Sequence, residues 1–284
     1  MMRRRFEEAI FRTLMLAALL SVVGALMLLI VVVAVNGARA LSWEMVSQVP
    51  TGGYYLAGGG GVLNAITGSL ALAVTATVVA ILFALPVALF LQSDYGGRTR
   101  FAVVVRTYLD LLWGIPPIVY GAFGFTLMLY MGLRASLLGG VIALTFVELP
   151  IMARAMEEVL RTIPRALKEA SYALGATRWE TMRWVVLRQA MPGLVTAVLL
   201  AFGQGIGNAA AVLFTAGYTD NLPRSLFEPV ASLPLAVFFQ LGTPFPEVQE
   251  RAYASALILL VIVLVISIKS RLLGRLLSKH NVLD

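Results

Sequence analysis

Long uninterrupted apolar runs dominate the sequence and decide its fold class. Phe11–Val35, Val62–Leu91, Ser136–Ala153, Leu194–Thr215 and Tyr253–Ile268 each approach or exceed the length needed to cross a hydrocarbon core, about 20 residues for roughly 30 Å. A sixth run, Ile115–Leu133, is interrupted by Pro116, Pro117 and several glycines. Such breaks are tolerated in a span where neighbouring helices satisfy the freed backbone groups. With 60% of its 284 residues apolar and 13% charged, the chain departs from soluble composition in the direction these runs require. An all-α polytopic membrane fold of about six transmembrane helices follows. Residues 1–284 are expected to form a single transmembrane domain without a soluble one. The first run is much longer than a signal-peptide core, so it is expected to be a retained anchor.

The formal net charge of +7 raises the possibility of nucleic acid, but the placement of the charges gives another reason for it. With the N-terminus inside, four Lys and Arg precede or begin span 1 (Arg3, Arg4, Arg5, Arg12). Three lie at Arg98, Arg100 and Arg106, seven between Arg154 and Arg188, and four at Lys269, Arg271, Arg275 and Lys279. Outside fall Arg39, Arg134, Arg224 and Arg251. Eighteen against four, of 22 in all, is a positive-inside distribution. The basic balance is topological: both termini are expected in the cytoplasm of a cell (inner or plasma) membrane, the lipid bilayer is the partner, and no nucleic acid is implied. The sequence has no cysteine and one histidine, His280, so disulfides, thiolate sites and multi-histidine metal sites are excluded.

The connecting segments carry the remaining signals. Asn36–Gly61, ending in four glycines, reads as a flexible outer loop. Arg106 and Asp110 stand four apart, which predicts an intrahelical pair on a membrane-surface helix. The cytoplasmic segment 154–192 is charged and punctuated. Pro164 suits a helix start, Gly175 a helix end, and Thr177–Glu180 has capping-box spacing for a second helix. Trp179, Met182, Val186 and Ala190 recur at helical spacing and predict one apolar face. Two short helices hinged at a glycine make a knob able to dock in a partner's groove. The outer segment Ala216–Arg251 is rich in proline.

Within this knob Glu169-Ala170-Ser171, Gly175, Val185 and Leu187 resemble the EAA loop of ABC importer permeases. That pattern runs Glu-Ala-Ala, three residues, Gly, nine residues, Ile, one residue, Leu-Pro; here Arg188 stands where the proline is expected. The likeness covers nearly the whole chain and narrows to the phosphate importer permeases of the PstA type. It rests on Gly61–Leu70, Gly114–Gly121, Glu157-Glu158, Leu213–Gly217 and Ser232-Leu233-Pro234. The resemblance implies a type I importer permease fold and alternating access. It also implies two ATPase subunits, a second permease subunit and an extracytoplasmic phosphate-binding protein. Glu169, Ala170, Gly175, Val185 and Leu187 would form the ATPase-coupling surface, Glu169 as an ionic contact or as a solvated helix charge. The sequence contains no Gly-x-x-x-x-Gly-Lys-[Ser/Thr] loop, so ATP hydrolysis is expected of separate subunits and no cofactor or catalytic residue of this chain's own.

Charged and polar groups within spans are costly and hence functional candidates. Glu148 lies in span 4. Arg154, in Leu-Pro-x-x-x-Arg as in the phosphate family, either faces the pathway as an oxyanion partner or snorkels to the interface. In span 5 the sequence departs from the family's Arg-Ala-x-Gly-Glu-Thr-Ala-Pro: Gln204 and Asn208 replace the charged pair. Four apart, they are expected on one helix face. Three readings stand open: the charge resides in the partner permease, the substrate differs, or the amides hold helices together. Gly203, Gly205 and Gly207 are expected to admit another helix closely. Rival functions are an ABC permease for sulfate, molybdate or phosphonate, and a secondary transporter; the latter usually carries an internal repeat, which is not evident.

Overall fold

The computed structural model describes residues 2–51 and 59–278; Gly58, Lys279 and His280 lie outside the described residues. The described residues are helical, with one isolated bridge, Pro50 to Gly60. Helix α1 spans Met2–Ala40 and continues past the expected end of the first run. In the segment after it, expected to be a flexible loop, the described residues 42–50 are ordered. Ser42 caps a short helix α2, Trp43–Ser47, whose Met45 is buried. Local capping and one buried side chain outweigh composition there.

Helix α3 (Leu63–Phe90) presents Ala73, Ala76, Ala80, Ala84 and Ala88 to the interior. Small residues at helical spacing let backbones approach closely, which is how membrane helices gain packing when lipid is as apolar as leucine. The cleft is filled by α6 (Leu137–Arg161), the central helix, capped by Ser136 and buried along most of its length. Between them α4 (Arg100–Gly114) and α5 (Pro117–Tyr130) meet at 97°. Proline fixes φ and removes a donor, so Pro116 and Pro117 turn the chain, and the Tyr120 hydroxyl donates to Leu112 O at the end of α4 (2.8 Å). Among the described residues, five helices are long and apolar enough to cross a membrane, and six if this bent pair is one span.

The segment after α6 forms α7 (Arg165–Ala173), then α8 (Arg178–Glu180), a π-helical stretch Thr181–Val186 and α9 (Leu187–Ile206), the last three in one continuous rod. The expected fifth span does not run unbroken from Leu194 to Thr215. It stops at Ile206 and restarts as the short α10, Ala209–Val212. The outer segment after it packs inward. Ser136 N donates to Thr215 O (2.8 Å) and Leu233 N to Ser69 Oγ (2.7 Å), ahead of α11 (Leu233–Leu241). Finally α12 (Pro246–Ser278) packs on α1, α9 and α11. Among the described residues, the two largest apolar clusters fill most of the bundle. One, around Met152, Met156, Leu160, Met182 and Val186, lies toward α7 and α8, and the other, around Leu72, Leu144 and Val212, toward α10 and the start of α6.

Candidate functional site

The functional features fall in three tiers along the bundle. The first is the knob between α6 and α9. Gly175 closes α7 with φ +84°, the left-handed conformation only glycine adopts cheaply, and its amide donates to Tyr172 O (2.9 Å). The capping box is formed: Thr177 Oγ1 accepts from the Glu180 amide, and the Glu180 carboxylate accepts from the Thr177 amide (2.8 Å) and hydroxyl. These bonds hold the Glu180 carboxyl below its ordinary value of 4.5. Glu169, Ala170 and Gly175 are exposed, Val185 and Leu187 half-buried. Met182, Val186 and Ala190 pack into the core as expected. Trp179 does not join them: it is exposed, because the wider π-turn that follows breaks the register of a 3.6-residue face.

The residues that anchor this knob escaped the sequence reading. The nearly buried Lys168 ammonium pairs with Asp94 at 2.7 Å, Arg178 donates to Asp94 O, and the Tyr95 hydroxyl donates to Arg178 O (both 3.1 Å). Burial, then the Asp94 charge, push the Tyr95 phenol above its ordinary value, so it stays a donor. The turn 92–98 thus clamps the knob from below. A charged turn opposite a charged loop was visible in sequence; which partners met was not. Leu174, 90% exposed at the tip of the knob, was also passed over.

The second tier is a charge cluster centred on Glu157, whose side chain is 2% exposed. Its Oε1 accepts from Arg106 Nε and Arg161 Nη2, both 2.7 Å, and Oε2 from Arg154 Nη1 at 2.9 Å. Arg154 also makes a two-pronged pair with Asp110. The expected Arg106–Asp110 pair therefore does not form. Each residue bonds across to α6 instead, because buried Glu157 offers a better acceptor than a carboxylate on the same exposed helix face. Arg154 is held in ion pairs with Asp110 and Glu157.

The third tier is a cavity of about 560 Å³ between the α4–α5 bend, α6 and the end of α9. Gln204 and Asn208 both line it, with Trp113, Tyr120 and Ile151. They do not share a helix face. Asn208 has left the helix (φ −89°, ψ 100°) and caps α10, its Oδ1 accepting from Ala211 N at 3.0 Å. That bond identifies Oδ1 and leaves the Nδ2 hydrogens as donors. The break, made by two glycines and a good capping residue in succession, was legible as composition but was masked by the apolar residues on either side. Of the three glycines, only Gly205 receives a close neighbour from another element, and that neighbour is the carboxyl of Glu148.

Residues 80–280 match the family described as binding-protein-dependent transport system inner membrane component. The chain belongs to this family of ABC importer permeases. Similar family members include the phosphate transport system permease protein PstA of Yersinia pestis, 34% identical over 215 residues (76% of this chain, 72% of that one). The probable ABC transporter permease YqgI of Bacillus subtilis is 30% identical over 261 residues (86% and 87%). PstA 2 of Mycobacterium tuberculosis is 30% identical over 275 residues (96% and 89%). Among solved permeases, the fold is shared with the MetNI methionine ABC transporter in inward-facing conformations (TM-score 0.64, 21% identity, 84% of this chain and 99% of that one). It is shared also with a transporter importing alginate (TM-score 0.60, 16% identity, 95% and 98%). Like the family, the chain is a multi-pass inner membrane component of the type I permease fold.

Proposed function

We propose that this permease is one membrane subunit of an ATP-driven phosphate importer, working by alternating access with separate ATPase subunits. The observation that carries the reading is the knob. Glu169 and Leu174 stand exposed on a glycine-hinged pair of helices that is clamped to the bundle by Lys168–Asp94 and runs without interruption into α9. A charged residue, a protruding apolar tip and a rigid base suit docking into a partner's groove. One of two ATPases would bind there through Glu169, Ala170 and Gly175, with Val185 and Leu187 seating the rod, and the other would dock on the second permease. The charge asymmetry supports a cytoplasmic position for this face and for both termini.

Phosphate is supported by the PstA relatives. In the cavity the amide hydrogens of Gln204 and Asn208 supply neutral donors to an oxyanion. The compensating positive charge comes from a second, different permease subunit, since Arg154 is already committed to Asp110 and Glu157. An extracytoplasmic phosphate-binding protein delivers the anion from outside, and ATP is used only by the partner subunits. The neutral lining favours, as a second reading, an importer for another oxyanion such as sulfate, molybdate or phosphonate.

The test is ATP-dependent uptake of labelled phosphate into proteoliposomes holding the chain with its permease and ATPase partners, binding protein supplied outside. Uptake displaced by unlabelled phosphate and not by sulfate is expected. ATP hydrolysis without phosphate movement overturns the substrate. Failure to recruit any ATPase overturns the role of the knob.

A further inference from the structure

Glu148 lies midway along α6, fully buried where α6 meets α3 and α9. Its Oε2 accepts a hydrogen bond from Thr77 Oγ1 at 2.8 Å, while Oε1 is buried with no hydrogen-bond partner. On the α9 side the carboxyl rests directly on Gly205, where a Cβ would come within 1.8 Å of Oε1. Only glycine leaves it room.

Among the described residues, no cation approaches from the packed elements. Helix α3 carries no ionisable residue, and α9 has only Arg188, at its cytoplasmic start. On α6 the next charged residues are Arg154 and Glu157, bound into their own cluster. On α5 the Tyr120 hydroxyl is bonded to Leu112 O. The charged residues of α12 lie toward its ends, at Glu247, Glu250 and Arg251, and at Lys269, Arg271 and Arg275.

An ionised carboxyl buried without a cation is far costlier than its neutral form. Position adds a second reason. Gly205 belongs to the last turn of α9, the negative end of that helix. A carboxylate there is repelled. With a proton on Oε1 the group is neutral and the repulsion is gone.

We propose that Glu148 is a proton-binding site within the span bundle, occupied in this conformation, whose proton holds the end of α9 where it sets Gln204 and Asn208 on the cavity wall. Releasing the proton leaves a carboxylate against the helix end, and α9 must then move away from α6. Glu148 is thus a positioning residue, and the inference rests on the importer reading for its functional consequence.

The experiment compares wild type with E148Q in the full assembly. At neutral pH the infrared spectrum of wild type should show the carbonyl stretch of a protonated carboxyl, lost in E148Q and shifted in T77V, which removes its donor. Labelled-phosphate uptake should fall in wild type as pH is raised, while E148Q keeps a flatter profile and E148A loses uptake throughout. Absence of the band in wild type, its persistence in E148Q, an unmoved band in T77V, or parallel pH profiles for wild type and E148Q each overturns the proposal. The infrared arm needs no substrate, so an assembly that moves no phosphate refutes the importer reading and leaves the proton site to be decided by its spectrum.

Discussion

Replacing Glu157 by alanine removes the shared acceptor of Arg106, Arg154 and Arg161, and the cost can be worked from their surroundings. Each lost bond is charge-assisted, worth about 1.5–3 kcal/mol, and breaking a buried ion pair typically costs about 3–5 kcal/mol. None of the three arginines is stranded, however. Arg106 keeps Gly97 O at 3.1 Å and Leu91 O at 2.7 Å, Arg154 keeps Asp110, and Arg161, 47% exposed, turns to water. The expected loss therefore sits at the low end, about 3 kcal/mol. E157Q retains an acceptor oxygen but turns an amide N–H group toward a guanidinium, for about 2 kcal/mol. Exposed Glu158, one residue away, is the control: E158A should stay within about 0.5 kcal/mol of wild type. Reversible unfolding of the chain in mixed micelles, read as midpoint and slope, measures all three. If E157A falls within about 0.5 kcal/mol of E158A, the cluster behaves as an exposed set of ion pairs, and the claim that it ties α4 to α6 is refuted.

Three further outcomes follow from local geometry. G175A should cost about 1 kcal/mol, purely from the left-handed backbone, because no atom lies within 4 Å of the added methyl; the same unfolding assay reads it, and ATPase stimulation should fall with it. N208A removes the cap of α10, costing about 1 kcal/mol, and withdraws an amide from the cavity, so half-saturation for phosphate should rise while ATPase recruitment is unchanged. The Glu180 carboxyl is held below 4.5 in the folded chain by its bonds to Thr177, so on acidification the unfolded segment takes up its proton first. The capping contribution is therefore present above the ordinary carboxylate value and lost as pH falls through the lowered one. Amide exchange across 177–182 should rise selectively in that window and already at neutral pH in E180A.

The apolar runs made the spans legible because crossing hydrocarbon is a one-dimensional demand on length and composition. The knob was legible for a related reason: proline, the αL glycine and the capping box act within three or four residues. What failed was every inference needing a choice between a local and a distant partner. Arg106 and Asp110 have the spacing of an intrahelical pair, yet each bonds across to α6, and no periodicity within one helix announces a carboxylate on another. The helix break at Gly207 was missed because hydropathy averages over it, although Gly205, Gly207 and Asn208 are the residues from which a break and a new cap are made. Glu148 was visible as a costly residue. That it meets Gly205 required three dimensions.

On the proposed importer function, the same break would let coupling and passage be joined in one element. From Arg178 to Ile206 the chain is a single rod of 29 residues, about 43 Å long at the α-helical rise, with the knob at one end and Gln204 at the other. A rigid helix displaced at its base carries that displacement to its tip. An unbroken fifth span would drag α10 and the packed outer segment, pinned by Ser136–Thr215 and Leu233–Ser69, along with it. On that function, ending the rod at Gly207 would free its tip to move against α6 while α10 stays anchored, so that Gln204 and Asn208 would separate as the knob is pushed. Restoring continuity should therefore uncouple the machine. G207A with N208L, which favours helix through the break, should preserve ATPase docking while abolishing uptake, and undiminished uptake in that variant refutes the lever.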